Sequence, residues 1–146
     1  MNVAVTGDLS LGGDVAAWLT SPGEAAVGLL GDTSKLVSGS AKVYVDWRGA
    51  LVSDDRLRLT VSQPLRVEYG YVDAAVSRGL DQFGNLLWDE ARLNLAPSSR
   101  EIAMEVSWTA KLGGWSAETR LAWRENAGHA RGATDRAAML YMSRSF

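Results

Sequence analysis

From Asp55 onward the chain alternates with a period of two. Leu57, Leu59, Val61, Gln63, Leu65 and Val67 fall on odd positions, and Arg56, Arg58, Thr60, Ser62, Pro64, Arg66 and Glu68 on even ones. Alternation of this kind sends apolar and polar side chains to opposite faces of an extended strand. The split repeats at Ile102, Met104, Val106 and Trp108 against Glu101, Glu105, Ser107 and Thr109. It repeats at Trp115, Ala117, Thr119, Leu121 and Trp123 against Ser116, Glu118, Arg120 and Arg124. Upstream, Val43, Val45, Trp47 and Leu51 oppose Lys42, Tyr44, Asp46 and Arg48. At the far end Ala138, Leu140, Met142 and Phe146 share one side. None of these segments has the spacings of three and four that a helix needs. The pattern predicts strands near 43–52, 55–69, 86–95, 100–112, 115–125 and 136–146. Residues 71–78 form a separate strand or extend the one before.

Turn chemistry separates the segments. Leu112-Gly113-Gly114 predicts a tight hairpin, because glycine enters positive φ without steric cost. Asp81–Asn85 and Ala96–Ser99 break the chain, and Glu125–Asp135 reads as a longer polar loop. In the first 40 residues the alternation is weak. Val3–Val5, Ala16–Leu19 and Ala25–Leu30 read as short strands with turns at Gly12-Gly13 and Ser21-Pro22-Gly23, and a helix over 14–20 is the alternative. The expectation is an all-β chain whose 146 residues make one domain.

Alternating strands serve two architectures. A soluble sandwich or barrel turns the apolar face inward. An outer-membrane barrel turns it to lipid and lines its lumen with polar groups. Four features favour the second, one of them the last strand, where apolar Ala138, Leu140 and Met142 lead at two-residue steps toward Phe146. The 55–69 and 100–112 runs are long enough to cross a hydrocarbon core when tilted. Trp108, Trp115, Trp123 and Tyr69 fall near predicted strand ends, where interfacial girdles sit. The polar face mixes Arg56, Arg58, Arg66, Glu68, Glu101, Glu105, Glu118, Arg120 and Arg124, charges of both signs that neighbouring strands can pair across a closed interior. The expected fold is an antiparallel up-and-down outer-membrane β-barrel.

Composition narrows the partners. Hydrophobic residues make up 47% and charged residues 22%, which excludes a disordered chain. The absence of cysteine excludes a disulfide scaffold and a cysteine-ligated zinc site. A net charge of −2 gives no field for nucleic acid. No apolar run reaches the length of a transmembrane helix. The opening residues lack a basic region followed by an apolar stretch, so the chain is either cytoplasmic or a mature or truncated piece of a longer exported precursor. The strand pattern favours the latter.

Candidate chemistry is sparse. The one histidine, His129, lies in a polar glycine-containing loop without a nucleophilic serine setting, and reads as a solvated side chain. Asp54-Asp55 and Asp89-Glu90 are adjacent carboxylates, but strand neighbours point to opposite faces, so they read as solvated strand-end charges. Gly28, Gly31 and Lys35 do not meet the spacing of a phosphate loop. The six tryptophans read as girdle or packing residues rather than as a stacking platform for bases. No enzyme activity, metal or cofactor is expected.

The segment Asp55-Arg56-Leu57-Arg58-Leu59-Thr60-Val61-Ser62-Gln63-Pro64-Leu65-Arg66-Val67-Glu68 resembles a stretch in the C-terminal autotransporter-type region of subtilisin-like serine peptidases from Gram-negative bacteria. Leu93–Glu101, Gly113-Gly114-Trp115 and Asn126-Ala127-Gly128-His129 follow in the family's order, and a strand ending in Ser145-Phe146 closes the likeness, which spans about residues 50–146. Where relatives tend to show Pro-Gly-His, this chain has Ala127-Gly128-His129. The resemblance implies a translocator barrel, or the C-terminal part of one, located in the outer membrane of a Gram-negative bacterium, that anchors or exports an attached passenger, with outer-membrane lipid and the barrel assembly machinery as partners. It implies that the last strand is the insertion signal, with Leu140, Met142 and Phe146 facing outward. A free-standing small outer-membrane barrel with a structural or adhesive role and a soluble ligand-binding β-barrel are the alternatives.

Overall fold

A computed structural model describes residues 1–23 and 30–144. It is all-β, and its strands pair antiparallel. In chain order the strands are β1 (Asn2–Ala4), β2 (Leu9–Thr20), β3 (Leu30–Thr33), β4 (Leu36–Arg48), β5 (Asp55–Tyr69), β6 (Tyr71–Leu80), β7 (Leu86–Asn94), β8 (Ile102–Leu112), β9 (Trp115–Glu125) and β10 (Thr134–Arg144). A short 3-10 turn at Ala127–His129 is the one helical element among the described residues.

Several boundaries differ from the sequence reading, each for a local reason. The strand expected at 43–52 is β4, which starts at Leu36 and stops at Arg48. Gly49 turns the chain with φ +65°. The Asp55 carboxylate then accepts the backbone N–H groups of Ala50, Leu51 and Val52 at 2.7, 2.9 and 3.1 Å. Leu51 therefore belongs to a carboxylate-capped turn and not to the apolar face. Gly12-Gly13 is no turn either, and residues 14–20 are no helix, because both lie within β2. Of the strand expected over Ala25–Leu30, only Leu30 is among the described residues, and it opens β3. Gly28 and Phe146 also lie outside them.

Contacts gather into two compact units. The first comprises Met1–Ala16, Ser40–Leu65 and the chain from Ser98 onward; the second comprises Ala17–Gly39 and Arg66–Pro97. The larger sheet has the order β1-β2-β4-β5-β8-β9-β10, and the smaller one β3-β6-β7. The order is thus not a strict up-and-down meander, since β3 leaves the larger sheet between β2 and β4, and β6 and β7 leave it between β5 and β8. β8 and β9 form a hairpin in continuous register from Ile102↔Glu125 to Leu112↔Trp115. Its two-residue turn, Gly113 at φ +55° and Gly114 at φ +85°, is of the type whose twist matches the flanking strands. β10 continues the meander from Thr134↔Glu125 to Arg144↔Trp115. Among the described residues no ladder joins β10 to β1, and each stands at an edge of the sheet.

In the second unit, Val72 and Ala74 of β6 are buried. Asp73 accepts a bidentate pair from Arg92 at 2.8 and 3.0 Å, and the same guanidinium lies 4.1 Å over the Tyr71 ring.

Candidate functional site

Residues opposite one another on neighbouring strands share a face, so the ladders of the first unit assign its two surfaces. One face carries the rows Leu57–Trp108–Thr119–Leu140, Leu59–Val106–Leu121–Ala138 and Val61–Met104–Trp123–Arg136. The other carries Arg56–Thr109–Glu118–Tyr141, Arg58–Ser107–Arg120–Met139, Thr60–Glu105–Ala122–Ala137 and Ser62–Ala103–Arg124–Asp135. Large apolar side chains stay exposed on both faces, Met139 and Tyr141 of the charged face among them, while the carboxylates of Asp46 and Glu101 are covered. Leu59, Leu121 and Leu140 keep 48%, 53% and 68% of their surface exposed, whereas Asp46 and Glu101 keep 4% and 3%. The buried apolar residues of this unit are Ala110 and Ala117, among those described.

Asp46 of β4 organises the charged face. Arg56 reaches it through Nε at 3.1 Å and Nη2 at 2.7 Å, and Arg58 through Nε at 2.7 Å and Nη2 at 2.8 Å. Both arginines therefore fork onto one carboxylate, the geometry in which guanidinium binding is strongest. Arg58 also stacks on the Tyr44 ring at 4.5 Å. Tyr44 in turn lies across the backbone of Gly12, where an added Cβ would meet the ring at 2.3 Å. Gly12 is glycine because an aromatic side chain occupies the space above it, which is how a glycine comes to sit in mid-strand. Alternation placed Asp46 on the polar face, but its role as hub depends on pairing between distant strands.

A second cluster stands at the opposite end of the strands. The Glu101 carboxylate accepts the Gly128 N–H at 2.7 Å through Oε2, and its Oε1 lies 3.6 Å from Arg124 without a hydrogen-bond partner. Arg124 also pairs with Asp135. His129 is not the solvated side chain expected from its loop. Its Nδ1 accepts the Glu101 N–H at 3.2 Å, and its Nε2 lies 3.1 Å from the Leu65 carbonyl, to which it donates. The ring thus clasps the loop to β5 and β8, with its own backbone at φ +59°. Both nitrogens serve backbone groups, which leaves neither in position to take a proton from a serine hydroxyl.

The remaining expected lumen residues divide. Glu118 and Arg120 pair along β9 at 2.6 Å. Glu105 lies on the same face and acts on Arg58 through its charge. Arg66 and Glu68 fall in the second unit, where Arg66 pairs with Glu68 and donates to the Pro97 carbonyl at 2.8 Å. Asp55 is no solvated strand-end charge, since it keeps only 4% of its surface exposed while capping the 50–52 turn and accepting the Trp108 indole N–H at 2.8 Å. Trp108 accordingly sits inside the strand and not at its end. Asp89 lies 3.7 Å from Arg78.

The apolar face is bracketed by tryptophan–arginine pairs. Arg144 lies 5.5 Å over the Trp115 ring, and Arg136 lies 5.5 Å over the Trp123 ring. The two tryptophans stand eight positions apart on β9, roughly 27 Å along the strand. Leu140 and Met142 lie exposed on this face between the two arginines. Arg136 carries no strong sequence signal, because a single cation at an apolar-phase position looks like a break in the pattern. No family model matches the chain, and no curated protein or solved structure matches it either.

Proposed function

We propose that this chain is a membrane β-domain, a translocator-type barrel or part of one, that anchors or helps export an attached passenger across a Gram-negative outer membrane. The observation that carries the reading is that the Asp46 and Glu101 carboxylates are covered on one face while leucine, valine and tryptophan side chains such as Leu59, Val106, Leu121 and Trp123 are left open on the other. Hydrocarbon is the medium in which such an apolar face costs nothing to expose. Tilted by about 40°, the span between Trp115 and Trp123 projects to roughly 21 Å, close to the ~25 Å apolar band of such barrels. Indole rings and guanidinium groups suit the two interfaces. The resemblance of residues 50–146 to the autotransporter-type region of subtilisin-like peptidases supports a translocator, and nothing in the clusters above requires a catalytic role.

In lipid the open edge of β10 must be paired, either by β1 or by strands of a longer parent chain. With the end of the chain on the periplasmic side, Gly113-Gly114 forms a periplasmic turn and the 126–133 loop faces outside. The test is reconstitution into vesicles whose lipids carry bromine on the acyl chains. Trp115 and Trp123 should be quenched, whereas an absence of quenching, with a chain that stays soluble without detergent, favours the soluble ligand-binding barrel. The reading frame upstream of the gene separates a translocator from a free-standing barrel.

A further inference from the structure

The apolar face is not evenly filled. Along the row Leu59–Val106–Leu121–Ala138 three large side chains give way to one methyl group at β10. The result is an open trough of about 900 Å3 bounded by Leu59, Val61, Met104, Leu121, Trp123 and Arg136. Its polar lining residues are Arg136, which stands in the row with Trp123 at one end, and Thr60 and Glu105, which belong to a row of the charged face. No carboxylate pairs with Arg136 among the described residues. The nearest acid in sequence, Asp135, is on the opposite face and is held by Arg124. A cation therefore stands over an indole ring beside a largely apolar trough, and no described carboxylate forms an ion pair with it. Arg144 makes the same stacking contact at the other end of β10 but does not line this trough.

We propose that this trough holds one anionic phospholipid, with an acyl chain lying along Leu59, Leu121 and Ala138 and the headgroup phosphate on the Arg136 guanidinium. The inference rests on the membrane reading and adds to it a specific lipid site. Shape supplies the chain's place, and the unpaired charge supplies selectivity over a zwitterionic lipid, whose own ammonium offsets its phosphate. Trp123 holds the guanidinium over its ring, so that the donors are ordered before the lipid arrives.

The experiment has two arms. Flotation of the refolded chain with vesicles of phosphatidylcholine alone reads membrane insertion. Native mass spectrometry of chain released from equimolar phosphatidylglycerol and phosphatidylcholine vesicles reads the lipid retained. Wild type should keep one phosphatidylglycerol in roughly fivefold preference, the effect of one basic residue near an anionic surface. Arg136→Gln should bring the ratio to parity, Arg136→Lys should retain part of it, and Arg131→Gln in the loop should leave it unchanged. Flotation with equal retention of both lipids by wild type would overturn the lipid site while leaving the membrane reading standing. Preference that survives Arg136→Gln would overturn it likewise. Failure to float would remove the membrane reading and the site together.

Discussion

Removing the Asp46 carboxylate should destabilise the sheet through the two arginines it holds. Four N–H groups converge on this side chain at 2.7 to 3.1 Å. Breaking a fully buried ion pair by deleting one partner costs about 3–5 kcal/mol, mainly because the surviving charge loses its compensation. Here the arginine side chains keep 48% and 37% of their surface exposed, so water reaches part of each freed guanidinium. That screening lowers the expectation for Asp46→Ala to about 2–3 kcal/mol. Asp46→Asn should be no gentler than about 2 kcal/mol, because its amide turns a donor toward a donor. The measurement is urea unfolding in detergent followed by tryptophan fluorescence, with the slope unchanged and the midpoint lowered. In a double-mutant cycle, Arg58→Ala should cost much less in the Asp46→Ala background than in wild type. Additivity within about 0.5 kcal/mol, or an Asp46→Asn chain as stable as wild type, would refute the view of Asp46 as hub.

Three further expectations follow from separate parts of the molecule. Leu59→Arg, on the apolar face, should cost roughly 2–4 kcal/mol in vesicles if the site lies near mid-bilayer, whereas Thr60→Arg faces Glu105 and should cost far less; equal losses in refolding titrations would reject the facing assigned to β5. His129→Ala strips the acceptor from the Glu101 N–H and the bond to Leu65, about 1–2 kcal/mol of local order, so trypsin cleavage after Arg131 should quicken roughly 5- to 30-fold while assembly proceeds. Unchanged cleavage would show that the clasp does not hold the loop. In the 81–85 turn, the Asn85 side-chain amide, helped by the backbone N–H groups of Asn85, Phe83 and Gly84, holds the Asp81 carboxyl below its ordinary value of 3.8. A depressed carboxyl stabilises above its unfolded value and loses that contribution as pH falls through the folded one. Protection of the Asn85 amide should therefore persist from neutrality to about pH 4 and decline below it, and Asp81→Asn should flatten the profile.

The legible parts of the fold are those where alternation is strong and the side chains are large. β5 and β9 run over the residues their patterns mark, and the hairpin between β8 and β9 turns at the two glycines that permit it. Legibility fails where a residue's reason lies on another strand. Gly12 looks like a turn residue because conformational freedom is what glycine shows in isolation, while its actual cause is the Tyr44 ring above it. Leu36–Ala41 is too small and too weakly alternating to announce the first half of β4. Asp55 looks like half of an acidic pair until the turn it caps is seen. The charged face could be enumerated from phase alone, but which acid holds which base depends on a strand order that skips β6 and β7. The tryptophan–arginine stacks follow from the β9–β10 register, which no single strand encodes.

The scarcity of buried apolar side chains has a calorimetric consequence. The heat capacity of unfolding comes mainly from apolar surface newly wetted by water. In this chain the buried apolar residues are Val72, Ala74, Ala110 and Ala117 among those described, and none is large. On the proposed membrane reading, an unfolding transition that leaves the apolar face in contact with detergent or lipid throughout would wet little additional hydrocarbon. Its stability curve should therefore be shallow, with a heat-capacity increment well below the usual 12–15 cal/mol/K per residue, and cooling should weaken the fold far less than it weakens a protein held by an apolar core.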